Sequence, residues 1–92
     1  MSKRTEQFAK VQLEGADTFA RKNHDYADSF ACHGVLGTII RLRDKIDRYV
    51  NIEHTRLTLV KDEAARDTLM DLANYAHMAV LLLDEKDEKD DI

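Results

Sequence analysis

Proline is absent from this 92-residue chain, and glycine occurs only at Gly15, Gly34 and Gly37. With so few breakers, and with Ala, Leu, Glu, Asp, Lys and Arg abundant, helix is favoured over strand. A single cysteine, Cys32, excludes an intramolecular disulfide and suits a reducing cytoplasm. No apolar run approaches membrane-spanning length, and the charged start MSKRTEQ does not read as a signal peptide. The expectation is a cytoplasmic protein with no membrane partner. Glycine-rich phosphate loops and nucleophile elbows are missing as well. The four histidines, His24, His33, His54 and His77, do not share a helix at ligand spacing, which argues against zinc. Cys32 has no partner pattern for nucleophilic catalysis and reads as a packing residue.

The net charge of −4 argues against binding a nucleic acid polymer through its backbone. Much of that acidity sits in the segment Asp84 to Asp91, which holds six acids and two lysines. Without it the chain is formally neutral, so a cationic pocket remains compatible with the total. One domain over residues 1–84, followed by a solvated acidic tail over 85–92, is the simplest division.

Apolar periodicity marks three main helices. The first covers about Thr5 to Lys22, with Phe8, Val11, Gly15 and Phe19 in one stripe. The second covers Val35 to Asn51, where Val35, Ile39, Leu42, Ile46 and Tyr49 alternate steps of four and three. Ile52 to Lys61 reads as a connecting loop. Asp62 is then the N-cap of a third helix that runs to Leu83, with Leu69, Leu72, Ala76, Ala79 and Leu83 on one face. Its second half, HMAVLLL, is apolar nearly all round. A small monomer cannot bury such a helix, so a homo-oligomer is expected.

A second stripe on helix two, Leu36, Ile40, Asp44 and Asp47, turns from apolar to acidic. Helix three has the reverse order, Asp67, Asp71 and Asn74 and then Met78 and Leu82, with Glu63 one turn earlier. Carboxylates one turn apart share a helix face, and two such helices can surround a hard divalent cation. That arrangement suits nucleotide phosphates. The same acids also fit other roles. Asp44 and Asp47 flank Lys45 and Arg48 and can form solvated ion pairs, and Asp67 and Asp71 can take Arg41 or Arg48 in place of a metal. Asn74 and Tyr75 can face a base or tie helices together.

Three strings carry a resemblance: K-N-H-D-Y-A from Lys22 to Ala27, R-L-R-D-K-I-D-R from Arg41 to Arg48, and D-E-x-x-x-D-T-L-x-D-L-A-N-Y-A from Asp62 to Ala76. Together they resemble the phage and bacterial nucleotide-modification-associated family, related to the MazG-like all-α nucleotide pyrophosphatases. The resemblance implies a compact, all-α, usually oligomeric bundle that binds nucleotide phosphates through Mg²⁺. In relatives the ligands follow Glu-x-x-Glu and then Glu-x-x-Asp. Here Asp44-x-x-Asp47 and the series Glu63, Asp67, Asp71 stand in those places. The implied activity is hydrolysis of a (deoxy)nucleoside triphosphate to monophosphate and pyrophosphate. Asp44, Asp47, Asp67 and Asp71 would hold the metal with Glu63. Lys22, Lys45 and Arg48 would hold phosphates, and Asp25, Tyr26, Asn74 and Tyr75 would line the nucleotide site. The alternatives are a non-catalytic protein that sequesters a nucleotide or cyclic nucleotide, and a structural helical oligomer.

Overall fold

A computed structural model describes residues 2–55 and 61–90. It is all-α, with no strand among the described residues. Helix α1 spans Lys3–Tyr26, α2 spans Gly34–Thr55 and α3 spans Lys61–Asp90, with a 3₁₀ turn at Ser29–His33. No described helix is long and apolar enough to cross a membrane.

Each helix is longer than its periodicity predicts, because capping and polar turns add to the apolar stripe. Ser2 caps α1 by accepting from the Thr5 N–H at 3.1 Å, three residues before the expected start. At the other end Ala27 takes a left-handed conformation (φ 50°) and donates its N–H to Asn23 O at 2.8 Å. Ile52–Thr55 is the last turn of α2 rather than loop, while the rest of the predicted connection, residues 56–60, lies outside the described residues. Asp62 falls inside α3, not before it. The same helix continues past Leu83 through the acidic segment to Asp90, with residues 84–88 exposed.

Helices α2 and α3 form an antiparallel hairpin, as shown by Lys45 opposite Asp71 and Arg48 opposite Thr68. Its buried apolar residues are few: Ile52, Ala79 and Leu82. Thr38 and Thr68 share that interior at under a tenth exposed. Each hydroxyl donates to the carbonyl four residues back, Gly34 O at 2.9 Å and Ala64 O at 2.7 Å. The expected α2 stripe is only half used. Leu42 and Tyr49 are half-buried, but Ile39 and Ile46 stay 43 % and 42 % exposed. The buried row is shifted round the helix to Thr38 and Ile52, with Lys45 half-buried between them, because α3 packs on one flank of the stripe and not on its centre. On α3 Ala79 is buried as expected, but the same shift leaves Leu69 and Leu83 exposed and buries Thr68 and Leu82.

Helix α1 crosses α3 at one point. Gly15 is the buried residue there, and a Cβ in its place would lie 3.2 Å from Asn74 Oδ1. Asn74 Nδ2 donates to Gly15 O at 3.1 Å, so the amide fills the contact that the missing side chain permits. Beside it on α1, Glu14 takes a two-pronged pair from Arg66, eight residues before Asn74 on α3, both bonds 2.6 Å. The guanidinium donates to the Glu14 carboxylate and holds its carboxyl below the ordinary 4.5. A depressed folded value means that the pair contributes above the unfolded value and is lost as pH falls through the lowered one. Replacing Arg66 with Gln should therefore return Glu14 to the ordinary range in an NMR titration and flatten the acid limb of the stability profile. At fixed protein concentration, Asn74→Ala should cost about 1–2 kcal/mol in urea unfolding through loss of the buried hydrogen bond.

Candidate functional site

The α1–α3 crossing places the C-terminal turns of α1 over the middle of the hairpin and encloses a cavity of about 450 Å³. Four segments line it: Phe19, Lys22, Asn23 and Tyr26 from α1; Ser29, Phe30 and His33 from the 3₁₀ turn; Gly37, Thr38, Arg41 and Lys45 from α2; and Asp71, Asn74, Tyr75 and Met78 from α3. A volume of this size accommodates a small ligand.

The corner between α1 and α2 shapes the upper wall. Ala27 and Asp28 are both left-handed, at φ 50° and 63°, and reverse the chain within two residues. Asn23 Nδ2 donates to Asp28 Oδ1 at 2.5 Å and braces that reversal. Phe30 is thereby returned onto Phe19 edge to face, with centroids 5.7 Å apart. Gly34 follows at φ 68°, a conformation that L side chains rarely adopt. At Gly37 a Cβ would overlap His33 Cβ, so the bare backbone there lets the 3₁₀ turn lie against the start of α2.

Charge is concentrated on the floor. Asp71 Oδ1 lies 3.2 Å from Lys22 Nζ, and its other oxygen lies 3.4 Å from Lys45 Nζ. Asp71 and Lys45 are 24 % and 29 % exposed, so this interaction is shielded more than a surface pair, whereas Lys22 reaches in from the rim at 59 %. With Arg41 in the same lining, three permanent cations face one carboxylate. The lining also carries four aromatic rings: Phe19, Tyr26, Phe30 and Tyr75. Excess positive charge beside aromatic surface matches a ligand with an anionic end and a planar end.

The predicted site residues divide sharply. Lys22, Tyr26, Lys45, Asp71, Asn74 and Tyr75 come together in the cavity. Asp25 is exposed outside the lining, and Arg48 is drawn away by donating from Nε to Thr68 Oγ1 at 3.3 Å. Asp44, Asp47, Glu63 and Asp67 are exposed and do not line the cavity. No group of three or more His, Cys, Asp or Glu able to hold a metal ion forms among the described residues. The described acids of one chain therefore do not assemble a three-ligand metal set. The cations on Asp71 are lysines from α1 and α2, not Arg41 or Arg48. Asn74 ties α3 to α1, as one of its two readings allowed, and Cys32 is exposed rather than packed.

Phe19, Phe30, His33, Thr38 and Met78 also line the cavity, although sequence reasoning gave them no site role. Phe19 stands in the apolar stripe of α1 and Met78 in the mixed stripe of α3. Spacing alone does not distinguish a cavity wall from a core. A second, more open concavity of about 620 Å³ is lined, among the described residues, by Lys10, Leu13, Glu14, Asp17, Ala20 and Arg21 of α1, and its charges are of mixed sign.

The fold and cavity define an all-α protein with a cationic, aromatic-walled pocket beside a helical hairpin. The chain belongs to the nucleotide modification associated domain 1 family, which it matches over residues 22–83, two-thirds of its length. No curated protein and no solved structure matches it. The matched region opens at Lys22 and contains every cavity residue except Phe19.

Because Gly37 has no room for a side chain, Gly37→Ala should displace the 3₁₀ turn and open the upper wall. The expected overpacking penalty is about 1–3 kcal/mol, equivalent to a melting temperature lower by roughly 4–24 °C in a domain of this size. A thermal melt followed by circular dichroism measures it.

Proposed function

We propose that this chain binds a nucleotide in the cavity between α1, the 3₁₀ turn and the α2–α3 hairpin. Phosphates would lie against Lys22, Lys45 and Arg41. The base would lie among Tyr26, Phe30 and Tyr75. One observation carries this reading: two lysines from different helices converge on one carboxylate, with a third cation and four aromatic rings in the same lining. Membership of a nucleotide-associated family supports it.

Asp71 acts in this reading as the counter-ion of an anion site. It holds the two ammonium groups in place and is replaced by phosphate, which brings more charge and more acceptor oxygens than a carboxylate. Binding of this kind needs no metal, and the scattered acids of one chain fit it. Sequestration of a nucleotide follows directly. Mg²⁺-dependent hydrolysis to monophosphate and pyrophosphate is the finer form of the same proposal, and it requires an acid set that one chain does not assemble among its described residues.

Calorimetric titration with a panel of nucleoside triphosphates and cyclic dinucleotides, in chelator and then in Mg²⁺, tests this function. Binding in chelator is expected. Lys22→Ala and Lys45→Ala should each weaken it about 10–100-fold, the value of a lost charge-assisted hydrogen bond. Asp71→Asn should tighten it in chelator by removing the competing carboxylate. Pyrophosphate release that needs Mg²⁺ and disappears in Asp71→Asn would assign the enzyme activity and make Asp71 a metal ligand. Absence of binding by every ligand in both conditions would overturn the proposal.

A further inference from the structure

Helix α1 is attached to the fold differently from the other two helices. Its buried residue is Gly15, which has no side chain to bury. Residues 3–14 are all exposed, Phe8 and Leu13 at 64 % each. The hairpin, by contrast, buries Ile52, Ala79 and Leu82 together with Thr38 and Thr68. Among the described residues, the polar ties from α1 to the hairpin run to α3: Glu14 to Arg66, Gly15 to Asn74 and Lys22 to Asp71. The Arg66 and Lys22 side chains are themselves more than half exposed, so water and ions compete for both pairs. An element with so little buried apolar contact opens at a lower free energy than the core beside it.

The corner after α1 has the character of a hinge. Ala27 and Asp28 both sit at positive φ, 50° and 63°, a region sparsely populated by residues with a side chain. Rotation of either one to an ordinary conformation relieves that strain and swings α1. The 3₁₀ turn beyond the corner stays with the hairpin, because His33 lies against the bare backbone of Gly37. Glu14 is thirteen residues from Ala27, roughly 20 Å along the helix, so its pair with Arg66 latches the far end of the lever.

The cavity divides along the same line. Phe19, Lys22, Asn23 and Tyr26 belong to α1, and the rest of the lining belongs to the turn and the hairpin. An anion seated among Lys22, Arg41 and Lys45 therefore touches both parts. Asp71 already shows this bridging with a single carboxylate, one oxygen 3.2 Å from Lys22 Nζ and the other 3.4 Å from Lys45 Nζ.

We propose that α1 is a lid that swings about Ala27 and Asp28 while the hairpin stays intact, and that an anionic ligand closes it through Lys22. The closing step rests on the nucleotide reading above, whereas the opening step does not. With α1 open, Arg41 and Lys45 hold the anion alone. The ligand gains Lys22 and the α1 wall only in the closed form, and it shifts the population toward closure by that difference.

Amide hydrogen exchange of the full chain, followed residue by residue in NMR spectra, tests the proposal. Once undocked, α1 is an isolated helix and marginal in water, so opening exposes its amides. Without ligand, amides of residues 16–22 should exchange faster than those of 42–49 in α2 and 72–79 in α3. Arg66→Gln, outside the cavity, should speed the α1 set roughly two- to fivefold, the value of an exposed ion pair, and leave the hairpin sets unchanged. Inorganic pyrophosphate at about ten times its dissociation constant should slow the α1 set about tenfold. In Lys22→Ala at matched occupancy that slowing should be lost, while pyrophosphate still shifts the Arg41 and Lys45 resonances. Equal exchange in α1 and the hairpin overturns the proposal, as does equal acceleration of both by Arg66→Gln. Pyrophosphate that shifts Arg41 and Lys45 but leaves α1 exchange unchanged overturns it too. Pyrophosphate that shifts neither residue overturns the nucleotide reading and the closing step with it, and exchange in the free chain still decides the opening step.

Discussion

Asp71 is the point at which the three helices meet electrostatically. One of its oxygens is held by a lysine from α1 and the other by a lysine from α2, while the residue itself belongs to α3. Two ammonium groups brought into one cavity repel each other, and the shared carboxylate makes their approach tolerable. The backbone contact behind it is as constrained: Asn74, one turn further along α3, closes on Gly15 where no side chain would fit without displacing the amide. These two interactions fix where α1 crosses, and the crossing creates the cavity. The apolar interior contributes less, since none of the described side chains is fully buried.

The same geometry explains why the cavity is open to chemistry. A shared carboxylate between two lysines is electrically unbalanced, and Arg41 adds to the imbalance. An anion with more charge than a carboxylate lowers the energy of all three cations together. Aromatic walls from α1, the 3₁₀ turn and α3 give such an anion a flat, apolar neighbour. The site is therefore assembled from four segments, none of which holds it alone, and a shift of the α1 crossing would disperse it.

Helical class, the number of helices and six cavity residues were legible in the residues and their likeness to a family. Lack of proline and the 3–4 spacing of Val35, Ile39, Leu42, Ile46 and Tyr49 identify α2 directly. Spacing gives the angle at which a side chain leaves its helix, but not which flank a neighbour takes. For that reason Ile39 and Ile46 read as core and are found exposed, and Asp44 and Asp47 read as site residues and are found on the surface. Lys22 and Asp71 are 49 positions apart, and no local pattern announces their pairing. Arg48 shows the same limit, since its partner Thr68 comes from the buried row of another helix. Helix ends were misread because Ser2, Asn23 and Asp28 define them through polar contacts outside the apolar period.

Helix α3 has 30 residues and spans roughly 45 Å, against roughly 33 Å for the 22 residues of α2. Its last two turns outrun the hairpin and hold Asp84, Glu85, Asp87 and Glu88, all exposed. Carboxylates at a helix C-terminus oppose the peptide dipoles, and Asp84 and Glu88 repel across one turn. No packing offsets these terms beyond the end of α2. The charges of these turns therefore meet solvent ions rather than a packed neighbour, and dissolved salt screens their mutual repulsion.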